Sequence, residues 1–482
     1  MNTRKISMLL AAILAVSVAS CGESAATTDT TAVPEVETTK PVDPSDDELP
    51  SDLDFGGETV TFFYRAEIVD EFSVEEQNGD VVNDALYNSH RAVEERLNVK
   101  LETVTMNGQN GEDRNTFMNH ITSTVMAGDD AYDWVDLMIG NSPVKMQEGI
   151  FADLLTNPYI DVTKPYYMRG LADLVTVDGK LYFMSGDASL GYLQDAFCII
   201  YNKRLADELG IGNLYELVEK GQWTIDKLME FTELAGKDID SNGVWSDDDQ
   251  LGLRLYTDIH ISGFIASAEM HMFTEQNGEW VFDMSSDRTA SIIEKLYKLV
   301  NETPGALLVN GTTPAKFPEG KTLFITAQFD DTITYLRDMK DPYGILPYPK
   351  FEASQEHYYS NARSTHNAFS MPITCGDPNM AGAVMEALSS QNYKTVTPAY
   401  YEVALKTKYT TDDESSRMYD IIHEGFTLDY GYIFSNVVKN PALSVFIKSV
   451  TQGNFASKLA EYEPAIKEAQ KTYMETIREN IK

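Results

Sequence analysis

The chain has 482 residues, with 75 Asp and Glu against 38 Lys and Arg and a formal net charge of -37. Such a surface repels phosphate backbones, which excludes nucleic acid as a partner. The 43% of apolar residues and the length are enough for two or three domains with full cores.

The N-terminus sets the address. Arg4 and Lys5 precede a short apolar run, Met8 to Val18, well below the ~20 residues a spanning helix needs. A basic start, a short apolar core and small residues read as an export signal over residues 1–20. Val18-Ala19-Ser20-Cys21 resembles the lipobox of bacterial lipoproteins, which implies a lipidated Cys21 as the new N-terminus. Residues 21–54 are rich in Thr, Pro and acid, with ten carboxylates against Lys40 alone, and read as a disordered tether. Removing signal and tether leaves a charge of about -30 on the body, and no other stretch approaches membrane-spanning length.

The body opens with "ETVTFFYR", a predicted strand. Val82, Leu86, Val93 and Leu97 recur at helical spacing. "VKLETVTM" is a second strand, Phe117 to Val125 a helix, and "DWVDLMIG" a third strand. Strand and helix alternating in this way predict a parallel sheet with crossover helices, whose ligands sit beyond the carboxyl ends of the strands. Further on, "KLYFMSGDASLGYLQDAFCIIYNKRLADELGI" gives two strand-like runs around a polar loop, with a helix starting near Lys203. "GQWTIDKLMEFTELA" is a helix with Thr224 as its N-cap. "GKTLFITAQFDDTITYLRDM" reads as strand, polar loop and helix, and "YGILPYPKF" as a strand stopped by prolines. The last hundred residues are mostly helical. Cys198 and Cys375 sit in apolar runs and read as two buried, unpaired thiols rather than a disulfide.

Several stretches, taken as a set, resemble the extracellular solute-binding proteins of bacterial ABC transporters, in the branch that handles sugars. These are the lipobox, "FCIIYNKRLADELGI" with "GQWTIDKLMEF", "GKTLFITAQFDD" with "YGILPYPKFEASQEHYYS", and "VTPAYYEVALKTKYTTDDESSRMYDII". The resemblance spans residues 55–482. It implies an α/β, two-lobed, periplasmic-binding-protein-like fold of the class II type, with a ligand cleft between the lobes and a helical C-terminal region. By that likeness 55–185 and 335–367 form one lobe, 186–334 and 368–482 the other, and the chain crosses near 184–195, 328–335 and 367–371.

The chain offers little catalytic chemistry. No two of its seven histidines show the spacing that places two metal ligands on one helical face. "AKFPEGKT" has Ala315 where a phosphate loop needs its first glycine, and "GDASLG" carries its serine one residue late for a nucleophile elbow. One motif is sharper. "DIDSNGVWSDDD", Asp238 to Asp249, fits a calcium loop: Asp238, Asp240 and Asn242 would give side-chain oxygens, Val244 its carbonyl, Ser246 a water, and Asp249 would close the shell. Asp249 departs from the usual glutamate. The expected site is structural, and no organic cofactor is expected.

Sugars present apolar faces and a hydroxyl rim, so aromatics beside Asp, Asn and Arg suit them. The ligand-binding candidates at strand ends and crossings are Tyr64 and Arg65, Asn141 and Ser142, Asp187 and Ser189, Gln328 with Asp330 and Asp331, and Tyr359 with Asn361 and Arg363. The expected protein is a monomeric, non-enzymatic receptor held by its lipid on the outer face of the cytoplasmic membrane. It would pass a carbohydrate, an oligosaccharide above all, to ABC permease subunits. A surface glycoside hydrolase and a calcium-stabilised adhesion or scaffold module are the rival readings.

Overall fold

The computed structural model describes residues 43–256, 259–311, 314–405 and 413–480. The signal and Cys21 lie outside the described residues. Eleven strands are described in chain order: β1 (Glu58–Arg65), β2 (Val99–Met106), β3 (Trp134–Met138), β4 (Phe197–Asn202), β5 (Leu251–Tyr256), β6 (Phe273–Gln276), β7 (Glu279–Phe282), β8 (Ala306–Val309), β9 (Thr322–Gln328), β10 (Tyr343–Leu346) and β11 (Asn367–Ser370).

They form two larger sheets and a hairpin. The first has the order β11-β3-β1-β2, with β1 parallel to both β2 and β3 and β11 antiparallel to β3. The alternation of strand and helix from residue 58 to 138 thus builds the parallel sheet it predicts, with helices Val81–Leu97 and Gly111–Met126 as the crossovers. The second has the order β10-β4-β9-β5-β8. There β5 is parallel to β8 and β9, while β4 is antiparallel to β9 and β10. β6 and β7 pair through Asn277-Gly278, both at positive φ (55° and 81°), the backbone that tight hairpins favour.

Strand pairing divides the chain differently from the expected lobes. β10 lies inside 335–367, grouped with the first lobe, yet it pairs with β4 in the five-stranded sheet. β11, nearly all of it in the segment assigned to the second lobe, pairs with β3. The helix Pro378–Leu405 also packs on Val81–Leu97, through the Ser89–Asn392 hydrogen bond, and its Ala381 carbonyl accepts from Trp134 Nε1 at 3.0 Å. A strand joins whichever sheet edge can receive it, and the local pattern carries no record of that edge.

Two further segments differ from expectation. Residues 44–54, read as part of the tether, lie on the body. Arg96 donates to Asp47 at 2.8 Å, Lys164 to Glu48 at 2.7 Å and Lys394 to Asp46 at 2.6 Å, with Leu49 buried beside them. The tether's acids here meet a local set of cations. After β9 no polar loop intervenes: Phe329–Thr334 is a helix at once, capped as the Gln328 N–H donates to Asp331 Oδ2 at 2.8 Å. Both acids of "FDD" thereby stand in the first turn, where the helix dipole favours them.

Other local readings hold. Thr224 caps the helix Ile225–Ala235 by accepting from Lys227 N–H. Trp223 is fully buried and donates from Nε1 to the Pro347 carbonyl at 2.8 Å. Both described cysteines are buried and free. Helices Pro378–Leu405, Asp413–Glu424 and Phe455–Asn480 make the C-terminal region helical. Gly252 in β5 allows one close approach, since a Cβ there would stand 1.9 Å from the Thr232 carbonyl oxygen.

Candidate functional site: a polar junction between the two sheets

β3 is buried along its whole length, yet it carries Asp136. A carboxylate in such a strand needs a cation and hydrogen bonds. Arg65, the last residue of β1, supplies both. Its Nε donates to Asp136 Oδ2 at 2.6 Å and its second guanidinium nitrogen to Oδ1 at 3.0 Å, a bidentate pair. The remaining guanidinium nitrogen donates to Gln109 Oε1 at 2.7 Å and to the Thr365 carbonyl at 3.0 Å.

Thr365 carries the network to the second sheet. Its hydroxyl donates to Asp195 Oδ2 at 3.1 Å, and Gln328 Nε2, at the end of β9, donates to Asp195 Oδ1 at 2.5 Å. The Arg363 N–H donates to the Asp195 carbonyl at 3.0 Å. The C-terminal ends of β1 and β9, from different sheets, therefore meet in one hydrogen-bonded cluster.

Burial sets the electrostatics of this junction. Desolvation pushes Asp195 up to about 6, against the lowering influence of Arg363. Desolvation also raises Asp331 to about 7, assisted by the negative charges of Asp330 and Asp195, and raises Asp330. Glu71 is held well above the carboxylate range by burial and by Asp195. Some polar atoms here find no partner within the protein: Asn361 Oδ1, Arg363 Nε and both amide atoms of Asn367. Each such buried group costs free energy until something satisfies it.

The sequence candidates fall into three settings. Arg65, Gln328, Asp330, Asp331, Asn361 and Arg363 belong to the junction or border it. Asn361 is 3% exposed and donates to the Ser262 carbonyl at 3.4 Å. Half-buried Tyr359 lines, with Asn361, His271 and Arg288, a cavity of about 420 Å³. Asn141 and Ser142, at the end of β3, form a second setting. The Asn141 amide oxygen accepts from Asn436 at 2.6 Å, and the Ser142 hydroxyl donates to the Met138 carbonyl at 3.3 Å. The third is a buried brace, whose Tyr192 also lines a cavity of about 670 Å³. Tyr64 meets Ser189 at 3.1 Å and stacks on Phe72, while Asp187, raised to about 7 by desolvation, accepts from Thr397 and Tyr192.

Sequence reasoning did not pick out Asp136, Asp195, Thr365 or Tyr432, whose hydroxyl accepts from the Ser364 N–H at 3.2 Å. A signal existed for Asp136, because an acid inside an apolar strand demands a buried partner. Asp195 closes the crossing expected near 184–195, but nothing in its neighbours marks it.

The acidic loop forms a separate cluster. One carboxylate oxygen from each of Asp238, Asp240 and Asp249 lies within 4.8 Å of the others, a set able to hold a metal ion. Gly243 turns the loop at φ +79°. Asp249 is buried and accepts from the N–H groups of Ile239 and Ser246, both at 2.9 Å. Those backbone donors, Ile239 first, hold its carboxyl below the usual range. Asn242 Oδ1 accepts from the Val244 N–H at 2.7 Å.

No family model matches the sequence, and no curated protein matches it. Solved structures do share its fold. The galacto-N-biose-/lacto-N-biose I-binding protein of an ABC transporter from Bifidobacterium longum superposes with a TM-score of 0.58 at 14% identity, covering 88% of this chain and 98% of that one. The fold is that of solute-binding proteins. M. tuberculosis UspC (TM-score 0.56, 14% identity, 85% and 100% covered) and a sugar transporter from Rhizobium etli in an open conformation (0.54, 15%, 87% and 99%) have it too. Among the described residues, no helix is long and apolar enough to cross a membrane.

Proposed function

We propose that this chain is a non-enzymatic receptor that captures a carbohydrate, an oligosaccharide above all, between two lobes and delivers it to the permease of an ABC transporter. One lobe carries the four-stranded sheet and the other the five-stranded one. The observation that carries the reading is the junction itself. Strand ends from both sheets bring Arg65 and Gln328 into one cluster, and Asn361 and Arg363 there hold polar atoms with no protein partner. Sugar hydroxyls both donate and accept, so they suit such a mixture. Because ligand contacts span both lobes only when these are closed, binding shifts the population toward closure. A lipid on Cys21 would hold the receptor, as a monomer, at the outer face of the cytoplasmic membrane. The Asp238–Asp249 loop would take calcium, whose hard-oxygen preference its donors meet, and pin the second lobe.

The test is calorimetric titration of residues 44–482 with neutral oligosaccharides, followed by recovery of the sugar. Expected are saturable binding, uncleaved sugar, and an affinity at least about tenfold weaker in Asn361→Ala and Arg363→Ala. Cleaved sugar would favour a hydrolase, and absence of binding to every glycan would remove the carbohydrate assignment.

A further inference from the structure

The cavity at Tyr359 and Asn361 has neighbours beyond the junction. His271 and Asp429 also line a cavity of about 330 Å³. Trp280 and Tyr430 are shared in turn with a cavity of about 970 Å³, and Val162 and Asp173 line both that one and another of about 670 Å³. The largest alone reaches the upper end of ordinary small-ligand sites. Its walls come from four separate parts of the chain: residues 155–178, the β6–β7 hairpin, Tyr430, and the helix Phe455–Asn480.

Trp280 on β7 stands where two of these cavities meet, and it is only half-buried. Its ring lies 5.3 Å from that of Tyr430 at an interplanar angle of 23°, and Tyr430 in turn stacks on Phe434 at 4.1 Å and 8°. Gln470 donates to the Trp280 carbonyl. The indole is thus the outer member of a column rooted in the core, so a flat ligand face meets it at little entropic cost. At the rim, Arg478 of the helix reaches Asp178 at 3.2 Å and Glu279 at 3.3 Å, linking three of the walls. Eight carboxylate side chains line the four cavities against six lysines and arginines, an excess that opposes an anionic ligand.

We infer that this groove is a second binding surface, which takes the outer units of an uncharged oligosaccharide whose other end sits at the junction, with Trp280 as its stacking platform. The inference rests on the receptor reading above. An aromatic face matches the apolar C–H face of a sugar ring, and the shared walls of the cavities from Asn361 to Trp280 favour one chain as the occupant of both regions. The groove therefore selects for length, while the junction selects for the presence of a sugar.

Calorimetry with neutral malto-, cello-, xylo- and manno-oligosaccharides, each from disaccharide to octasaccharide, tests this. In the series that binds, native affinity should rise about tenfold or more from disaccharide to hexasaccharide. Trp280→Ala should lose that gain and keep the disaccharide affinity, while Trp280→Phe should retain most of it. In the native protein, the hexasaccharide and not the disaccharide should shift tryptophan emission, a readout that requires no variant to fold. An unchanged length dependence in Trp280→Ala, or disaccharide binding with no gain for longer chains, overturns the extension and leaves the receptor reading intact. Tighter binding of oligogalacturonate than of any neutral chain overturns the uncharged class. If no series binds native protein, the receptor reading falls and the extension with it.

Discussion

Two groups of carboxylates in this molecule stand in opposite settings. At the junction, Asp195, Asp330 and Asp331 are half or wholly buried, and desolvation raises all three. In the 238–249 loop, backbone N–H groups turn toward the acids: Gly243 donates to Asp238 at 2.8 Å, and Ile239 and Ser246 donate to Asp249. The same side chain is made proton-hungry at the junction, while at Asp249 backbone donors hold the carboxyl below its usual range. A group that protonates near neutrality suits hydrogen bonding to a neutral, hydroxyl-rich ligand. A cluster of carboxylate oxygens within 4.8 Å of one another suits a hard cation. Environment, more than residue type, separates the two roles.

The contrast can be broken most forcefully at Arg65. Arg65→Met leaves Asp136 buried without its cation, and breaking such a pair costs about 3–5 kcal/mol. Urea unfolding should show that loss, and the double variant Arg65→Met with Asp136→Asn should regain most of it. A small effect of the single change would mean that the pair does not hold β1 to β3.

Calcium comes next. At a hundred times its dissociation constant, a cation that binds only the folded state adds about 2.7 kcal/mol. Melting curves with calcium and with chelator should separate accordingly, and Asp249→Asn should bring them together. An identical response of the variant would place calcium elsewhere.

The pH dependence sharpens the comparison. Asp331 at about 7 and Asp195 at about 6 hold protons more tightly folded than unfolded. The stability they contribute is complete below the ordinary carboxylate pKa and is lost as pH rises through those values. Buried His90, His260 and His366 act oppositely. Desolvation lowers each to about 4, so their contribution is present above about 6.5 and is lost as pH falls through about 4. In Asp331→Asn the amide oxygen can still accept from the Gln328 N–H. That variant should therefore melt higher than the native protein at pH 8, with the offset shrinking steadily as pH falls toward the ordinary carboxylate pKa; an offset that does not change with pH would rule out titration as the cause. The smallest effect belongs to exposed Asp240. Asp240→Asn in chelator should leave stability within about 0.5 kcal/mol, as surface substitutions do, and a larger loss would show that the metal-free loop already depends on that charge.

Much of the local structure was legible beforehand. The runs that became β1, β2 and β3, the helix behind Thr224 and the two apolar thiols follow from periodicity, capping chemistry and burial of apolar side chains, all properties of neighbours in the chain. The candidate site was legible in part. Strand ends pointed to Arg65 and Gln328, because ligands collect where parallel strands finish. Their partners were not legible: Arg65 meets Thr365 across 300 positions of sequence, and Gln328 meets Asp195 across 133.

By itself the sequence determined many of the strands and helices, the large acidic excess and the donor set of the 238–249 loop, because each depends on residues close together in the chain. Only the tertiary structure decided that β10 and β11 join different sheets, that Asp195 bridges Thr365 and Gln328, and that Trp280 crowns an aromatic column beside a groove. Such pairings form between surfaces that meet only after the chain has crossed between sheets, and a local pattern of apolar and polar residues is the same whichever edge or wall it later meets.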